Sequence, residues 1–137
     1  MIGKPSIAGI AVLVLGFAFC PAAWADSAAD VCAALVNARS SLYSMLSAKD
    51  KSARDALHAK LQEASAKLDS VLAGMTGTDA KRATDFKAVW DQFKLTRDKE
   101  IIPALDAGNA SEAKRIADGV QYQRLSQMWS IMSCKAR

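Results

Sequence analysis

The segment from residue 86 to residue 117, FKAVWDQFKLTRDKEIIPALDAGNASEAKRIA, contains the signals that decide the fold. Its first half is an aromatic-rich helical pattern that runs toward Pro103, and a second helical pattern begins at Ala110. Between them, Asp106-Ala107-Gly108-Asn109 supplies a glycine that ends one helix and an asparagine that caps the next, with Glu112 at the reciprocal capping position. The segment therefore predicts a helical hairpin, and we expect the remaining segments to cover its apolar faces.

The first 25 residues have the pattern of a secretory signal peptide. Lys4 precedes an apolar run from Ile7 to Phe19, and Pro21 precedes the small-x-small sequence Ala23-Trp24-Ala25. The apolar run is shorter than the roughly 20 residues that a membrane span needs, which disfavours an uncleaved anchor. The bulky residue before Cys20 disfavours lipoprotein processing. We expect cleavage after residue 25, a periplasmic location and a mature chain of residues 26–137.

The composition beyond residue 25 favours an all-α fold, because glycine and proline are nearly absent and alanine, leucine, lysine and serine dominate. The whole chain of 137 residues carries 18 Lys and Arg against 14 Asp and Glu. These charges alternate in sign, as in Lys49-Asp50-Lys51, which is typical of a solvated helical surface and disfavours nucleic-acid binding. No second long apolar segment follows, so we expect no membrane span in the mature chain.

Apolar residues recur every three or four positions, which predicts four amphipathic helices at about residues 27–48, 51–74, 79–106 and 110–134. The expected buried residues are Val31, Leu35, Ala38, Leu42 and Met45 in the first helix; Leu57, Leu61, Ala64, Leu68, Val71 and Met75 in the second; Ala83, Phe86, Val89, Trp90, Phe93, Ile101 and Leu105 in the third; and Ala113, Ile116, Ala117, Val120, Leu125, Met128, Ile131 and Met132 in the fourth. Gly119 interrupts the last row, and we expect close packing of helices to be its reason.

Four helices of similar length with short links predict an up-down-up-down antiparallel four-helix bundle in one domain. In that topology the start of the first helix and the end of the fourth lie at the same end of the bundle. Cys32 and Cys134 would then be neighbours, and an even pair of cysteines in an oxidising compartment is usually a disulfide. Periodicity and cysteine position thus predict the same arrangement.

Four short motifs are Asn37-Ala38-Arg39, Leu46-Ser47-Ala48-Lys49-Asp50, the Trp90…Lys94 segment, and Ala107-Gly108-Asn109 followed by Glu112-Ala113. With them, residues 34–129 resemble the four-helix-bundle sensory domain of methyl-accepting chemotaxis receptors. The resemblance implies a periplasmic bundle, usually dimeric, that holds a small ligand between helices. Those receptors continue into a second transmembrane helix, and this sequence does not. We therefore expect a free-standing, non-catalytic sensory or binding module for a small ligand or a membrane-receptor partner, and a homodimer.

Three arginines and two aromatic residues are candidates for ligand binding. Arg39, Arg97 and Arg124 lie beside the apolar rows, where a guanidinium suits a carboxylate or phosphate, so a small anionic ligand is expected. Trp90 and Phe93 could line a pocket beside them, and Trp129 could form a further part of its wall. The alternative is that the arginine stems cover apolar surface or pair with nearby aspartates, and that the aromatic rings belong to the core.

Other chemistry finds less support in the sequence. We expect no enzyme activity, because the sequence contains no supported Ser/His/acid arrangement, no H-E-x-x-H motif and no phosphate-binding loop. A haem or copper carrier is an alternative function: His58 could pair with Met45 on haem, and Met128, Met132 and Cys134 could hold Cu(I). The methionines fit the core better, so we expect no cofactor. A purely structural protein-interaction module is a second alternative.

Overall fold

The structure is a computed structural model that describes residues 27–135. Within these residues the chain forms four helices and no strand, and 88% of the positions are helical. The all-α prediction is therefore confirmed. The expected signal peptide and its cleavage site lie outside the described residues.

The four helices follow one another with links of three residues. The first helix, α1, is Ser27–Ser47, and the second, α2, is Lys51–Gly74. The third helix consists of α3 (Thr78–Thr96), a π-helical turn that we label π1 (Arg97–Ile101) and α4 (Ile102–Asp106). The fourth consists of α5 (Ala110–Ile116), a second π-helical turn, π2 (Ala117–Gln121), and α6 (Tyr122–Ile131).

Side-chain caps and positive-φ glycines produce these short links. Asp50 caps α2, where its Oδ1 accepts a hydrogen bond of 2.8 Å from the Ala53 amide. After α4, Gly108 has φ 77°, its amide donates to the Leu105 carbonyl at 3.0 Å, and the Asn109 amide donates to the Ala104 carbonyl at 2.8 Å. This pair of bonds is a Schellman motif, which satisfies carbonyls at the end of the helix. The Asn109 side chain then accepts from the Glu112 amide and starts α5.

The first π-turn has a local cause in Pro103. Proline has no N–H, and its ring collides with the carbonyl four residues earlier when the helix keeps α geometry. The wider π1 turn lies directly before it, and the Ile102 amide bonds to the Arg97 carbonyl five residues back. The proline therefore adds a residue to one turn instead of only bending the helix.

The second π-turn changes which residues of the fourth helix are buried. Each π-turn holds one residue more than an α-turn and so rotates the following face. As a result Gln121 is fully buried and Val120 is 38% exposed, so the expectation that Val120 is buried is wrong. The expected close packing at Gly119 is also wrong, because a Cβ built there meets no neighbouring atom within 4 Å.

One core runs through all four helices. The five residues expected to be buried in α1 are all buried. In α2 the buried face is rotated slightly from the prediction: Ser65 and Leu72 are buried, whereas Leu57, Ala64 and Val71 are partly exposed. The buried polar residues Ser65, Thr96, Arg97 and Gln121 were not expected in the core.

Packing joins α1 with α2, α2 with α3, α3 with α6, and α1 with both α5 and α6. Cys32 and Cys134 form a disulfide, with their Cα atoms 5.6 Å apart, so the predicted proximity of the two cysteines is confirmed. None of the helices within residues 27–135 combines the length and the apolarity that crossing a membrane requires.

The turn before Cys134 contains the non-glycine residue with positive φ in the described range, Ser133 at φ 53°. The Ser133 amide donates to the Ser130 carbonyl and the Cys134 amide donates to the Trp129 carbonyl, both at 3.0 Å. This is a second Schellman motif, with serine at the position that glycine usually occupies. It reverses the chain after α6 and brings Cys134 back toward α1.

Loss of the disulfide should destabilise the fold strongly. The bond closes a loop with a sequence separation of 102, and the chain-entropy model gives up to about 4 to 5 kcal/mol for a loop of that size. We expect a Cys32→Ser/Cys134→Ser double variant to lose free energy of unfolding on this scale in urea denaturation. Reductant should lower the stability of the natural chain and leave the double variant unchanged. Equal stability of the natural chain and the double variant in the absence of reductant would contradict the prediction.

Replacing Ser133 by glycine should stabilise the protein. Left-handed backbone costs an L residue about 1 to 2 kcal/mol, and the greater chain entropy of glycine offsets part of the gain. We expect Ser133→Gly to raise the free energy of unfolding by roughly 1 kcal/mol, measured by urea denaturation. Ser130→Gly is the matched control, because Ser130 is exposed and helical, and this change should destabilise the protein by about 0.5 kcal/mol. The opposite order of the two variants would contradict the assignment.

Candidate functional site

A groove of about 1000 Å³ lies between α1 and the end of the fourth helix. We call it the α1/α6 groove, and its residues are Ala28, Ala29, Cys32, Ala33, Leu35, Val36, Asn37, Arg39, Tyr122, Leu125, Ser126, Trp129, Met132, Ser133, Cys134 and Lys135. Its volume falls within the range of about 300 to 1,000 Å³ that is usual for small-molecule sites.

Two links between α1 and the fourth helix border the groove. The Tyr43 hydroxyl donates to Asp118 at 2.8 Å, so α1 is linked to the fourth helix there as well as at the Cys32–Cys134 disulfide. Between these links α1 has eleven residue steps and the fourth helix with its last turn has sixteen. The chain therefore follows a longer path on the side of the fourth helix than along α1, and the groove lies between the two links.

The wall of the groove is largely apolar and partly exposed to solvent. Val36 is 47% exposed and Tyr122 is 50% exposed, while Trp129 is partly buried beside them. Each follows a core residue by one position: Leu35 in α1, and Gln121 and Met128 in the fourth helix. The groove is therefore lined by residues at the edge of the apolar row of each helix, and these residues stay uncovered because α1 and α6 separate.

Among residues 27–135, the charged groups of the groove wall are both cations. Arg39 and Lys135 line it, and none of the described lining residues is an aspartate or glutamate. No carboxylate within residues 27–135 forms an ion pair with Arg39. Asp118 of the fourth helix lies beside Tyr43, one turn after Arg39 on α1. It is already engaged by Lys114 and Tyr43, whose hydrogen bonds hold the pKa of Asp118 below its ordinary value. Arg39 is thus available to an anion in the groove.

Trp90 and Phe93, which the sequence offered as pocket walls, lie in the core and do not line the groove. Their rings are stacked with centroids 5.4 Å apart. The indole Nε1 of Trp90 donates to Asp69 at 3.1 Å, and Asp69 also accepts from Lys94. These contacts favour the core interpretation for both aromatic residues.

Arg97, the second candidate arginine, is buried with only 2% exposure. Its Nε and Nη2 donate to the two carboxylate oxygens of Asp98 at 2.7 and 3.0 Å, and its Nη1 donates to the Ser65 hydroxyl at 3.1 Å. His58 Nε2 lies 3.2 Å from the same carboxylate. Burial alone would raise the pKa of Asp98, but Arg97 and His58 hold that pKa below its ordinary value.

Arg124, the third candidate, joins a second buried polar group. Its Nη1 donates to the Thr96 hydroxyl at 2.6 Å and to the Gln121 side-chain carbonyl at 3.0 Å. The Gln121 amide in turn donates to the Phe93 carbonyl at 2.8 Å. Arg97 and Arg124 therefore make contacts within the protein, whereas Arg39 is exposed on the groove; the structure divides the five candidate residues between core and surface.

The residues proposed for haem or copper have other contacts. His58 and Met45 do share a small cavity, but its volume is about 10 Å³, far below what a haem needs, and His58 contacts Asp98. Met128 and Met132 are buried, and Cys134 is in the disulfide. The described residues contain no group of three or more His, Cys, Asp or Glu that could hold a metal ion.

Comparison of the chain with protein-family models, with characterised proteins and with solved structures finds no match. The function must therefore be argued from the geometry of the chain itself.

Stability should depend on pH through Asp98. Because its pKa is lowered in the folded state, its contribution is present above the ordinary aspartate pKa near 3.8 and is lost as the pH falls through the lowered value. We expect Asp98→Asn to lower the free energy of unfolding at pH 7 by about 1 to 3 kcal/mol, because the buried Arg97 loses its carboxylate. The measurement is urea denaturation at pH 7 and between pH 4 and pH 2.

The matched control for this experiment is Asp91→Asn, which removes a more exposed carboxylate that pairs with Lys87 and Lys94. We expect a smaller loss there, since surface ion pairs contribute little. The difference between Asp98→Asn and the natural chain should shrink as the pH falls. A difference that stays constant down to pH 2 would contradict the role given to the Asp98 charge.

Proposed function

We propose that the mature chain is a non-catalytic binding module of the periplasm, which holds a small ligand in the α1/α6 groove. The observation that carries this proposal is the groove itself: its size suits a small molecule, its wall includes the partly exposed Val36, Tyr122 and Trp129, and Arg39 forms no ion pair with a carboxylate of residues 27–135. We assign no chemical step, because the lining residues within 27–135 include no carboxylate or histidine to act as a general base.

We further propose that the four helices form the up-down-up-down antiparallel bundle expected from the sequence. The contacts between helices support it, because residue numbers rise on one helix as they fall on its neighbour. Arg54, His58 and Asp69 of α2 contact Asp106, Asp98 and Lys94 of the third helix, respectively. The same order holds between the third and fourth helices, where Phe93 meets Gln121 and Arg82 meets Ile131.

A sensory role, as in the receptor domains that the sequence resembles, depends on the groove more than on the shared motifs. Gly108 and Asn109 of the most specific motif end α4 and cap α5, so local backbone requirements account for them. Asn37 and Arg39 of the first motif line the groove. The proposed location follows from the signal-like residues 1–25 and from a disulfide, which oxidising compartments favour.

The test is a thermal-shift screen of protein purified from the periplasmic fraction as a chain that begins at residue 26. The compounds are amino acids, organic acids, fatty acids and metal ions. Two tryptophan variants separate groove binding from other binding: Ala33→Trp fills the groove, and Ala59→Trp adds the same side chain to an exposed position on α2.

We expect at least one compound to raise the Tm of the natural chain and of Ala59→Trp by several degrees, since a ligand at 100 times its Kd stabilises by about 2.7 kcal/mol. Ala33→Trp should lose this shift while keeping its helical circular dichroism. Binding that survives Ala33→Trp, or the absence of any stabilising compound, would refute the proposal of a ligand groove.

A further inference from the structure

We propose that the ligand of the α1/α6 groove is a soluble, single-chain anionic amphiphile, with its carboxylate at Arg39 and its apolar chain running toward the disulfide. This inference depends on the binding function proposed above and specifies the class of ligand. Three features of the groove carry it: the position of its cation, the composition of its wall, and its length.

The anion-binding end is defined by Arg39. The Tyr43–Asp118 hydrogen bond places these two residues at the same level of the two helices. Arg39 lies one turn before Tyr43 on α1, and Tyr122 lies one turn after Asp118 on the fourth helix, both on the side toward the disulfide. The guanidinium of Arg39 and the ring of Tyr122 therefore line the same end of the groove. A guanidinium presents two parallel N–H donors that match a carboxylate.

The rest of the wall suits an apolar chain. From this end toward the disulfide the groove is lined by Ala33, Leu125, Trp129 and Met132, and its polar side chains in that stretch are uncharged until Lys135. A ligand with two well-separated charges finds no acid for a cationic group among the described residues that line the groove. A small hydrophilic anion would leave this apolar surface exposed to water. An apolar chain would cover it, and burial of apolar surface stabilises a complex by about 25 cal/mol per Å².

The length of the groove favours an extended ligand. From Ala28 to Arg39 the lining residues of α1 cover eleven steps, or about 16 Å at 1.5 Å per residue. Open space along this distance accommodates a flexible chain that lies between the helices. The charge, the apolar wall and the length thus agree on a carboxylate with an acyl chain.

Calorimetric titration of the natural mature chain tests this inference with four probes: dodecanoate, dodecyltrimethylammonium, acetate and inorganic phosphate. The two dodecyl compounds are used below their micellar concentrations. We expect dodecanoate to bind and the other three to bind at least tenfold more weakly. Arg39→Gln should weaken dodecanoate roughly tenfold or more, the loss expected for a charge-assisted hydrogen bond. Lys60→Gln, which removes an exposed cation on α2, should leave its affinity unchanged.

Two further variants identify the position of the chain and protect the test against misfolding. Arg39→Lys keeps the charge and loses the planar fork, so it should bind dodecanoate with intermediate affinity. Ala33→Trp should abolish dodecanoate binding, and Ala59→Trp should not. Equal binding of dodecanoate by Arg39→Gln and the natural chain would overturn the assigned orientation.

The remaining outcomes distinguish this inference from the proposed function. If acetate, phosphate or the cationic probe binds as well as dodecanoate, the ligand class is wrong while the groove remains a binding site. The same holds if only another compound from the screen binds and Ala33→Trp blocks it. Binding to vesicles of anionic phospholipid without binding to free dodecanoate would overturn the choice of a soluble ligand. If no compound binds the groove, both proposals fail.

Discussion

The linkage of α1 to the fourth helix at two separated points determines the shape of this protein. The Cys32–Cys134 disulfide fixes one end and the Tyr43–Asp118 hydrogen bond fixes the other. Between them α1 packs mainly on α2, and its side facing α6 is only partly covered. A four-helix bundle in which every pair of neighbouring helices packed closely would bury Val36 and Tyr122, which lie at the edges of the apolar rows. Here they remain exposed, and a surface for binding exists because the closure is incomplete.

The contacts of the third helix with α2 and with the fourth helix are organised by buried polar groups. Arg97 is surrounded by protein, and its donors are satisfied by Asp98 of the same helix and Ser65 of α2. Gln121 connects the fourth helix to the Phe93 carbonyl of the third. Sliding one helix along another would leave these groups unpaired, at a cost of about 1 to 3 kcal/mol for each buried group. Apolar rows stabilise the helical core, and the polar contacts specify the register of the helices.

Much of this fold could be predicted from the sequence. Amphipathic spacing identified the buried row of α1, turn chemistry located the cap at Asn109, and cysteine position predicted the disulfide. The buried Arg97 and Gln121 could not be found in this way, because hydrophobic periodicity records only apolar residues. Val120 was wrongly predicted to be buried because π2 shifts the apolar row of the fourth helix by one residue. In the sequence only π1 is marked by a following proline, so π2 could not be foreseen.

The α1/α6 groove was not predictable for a different reason. Whether the edges of two apolar rows touch or separate depends on the distance between the helices. The pattern within a single helix does not encode that distance. Of the five candidate ligand residues, the structure brings only Arg39 to the groove. Trp129, which the sequence offered as a further pocket wall, also lines the groove, whereas Tyr122 was not singled out. A search for exposed aromatic residues next to a core row would have selected Tyr122, which follows the buried Gln121.

The two π-turns also have a consequence for how this sequence can change. A π-turn is equivalent to one residue inserted into an α-helix, so each marks a position where the chain is one residue longer than a regular bundle requires. They lie on adjacent helices, and the buried polar residues Arg97 and Gln121 belong to them. Removing one residue elsewhere in either helix would turn every later side chain by about 100° relative to the core. Removing one residue within a π-turn would instead restore α geometry and keep the later apolar row in place, so the π-turns are the positions where these helices can lose a residue and keep their core.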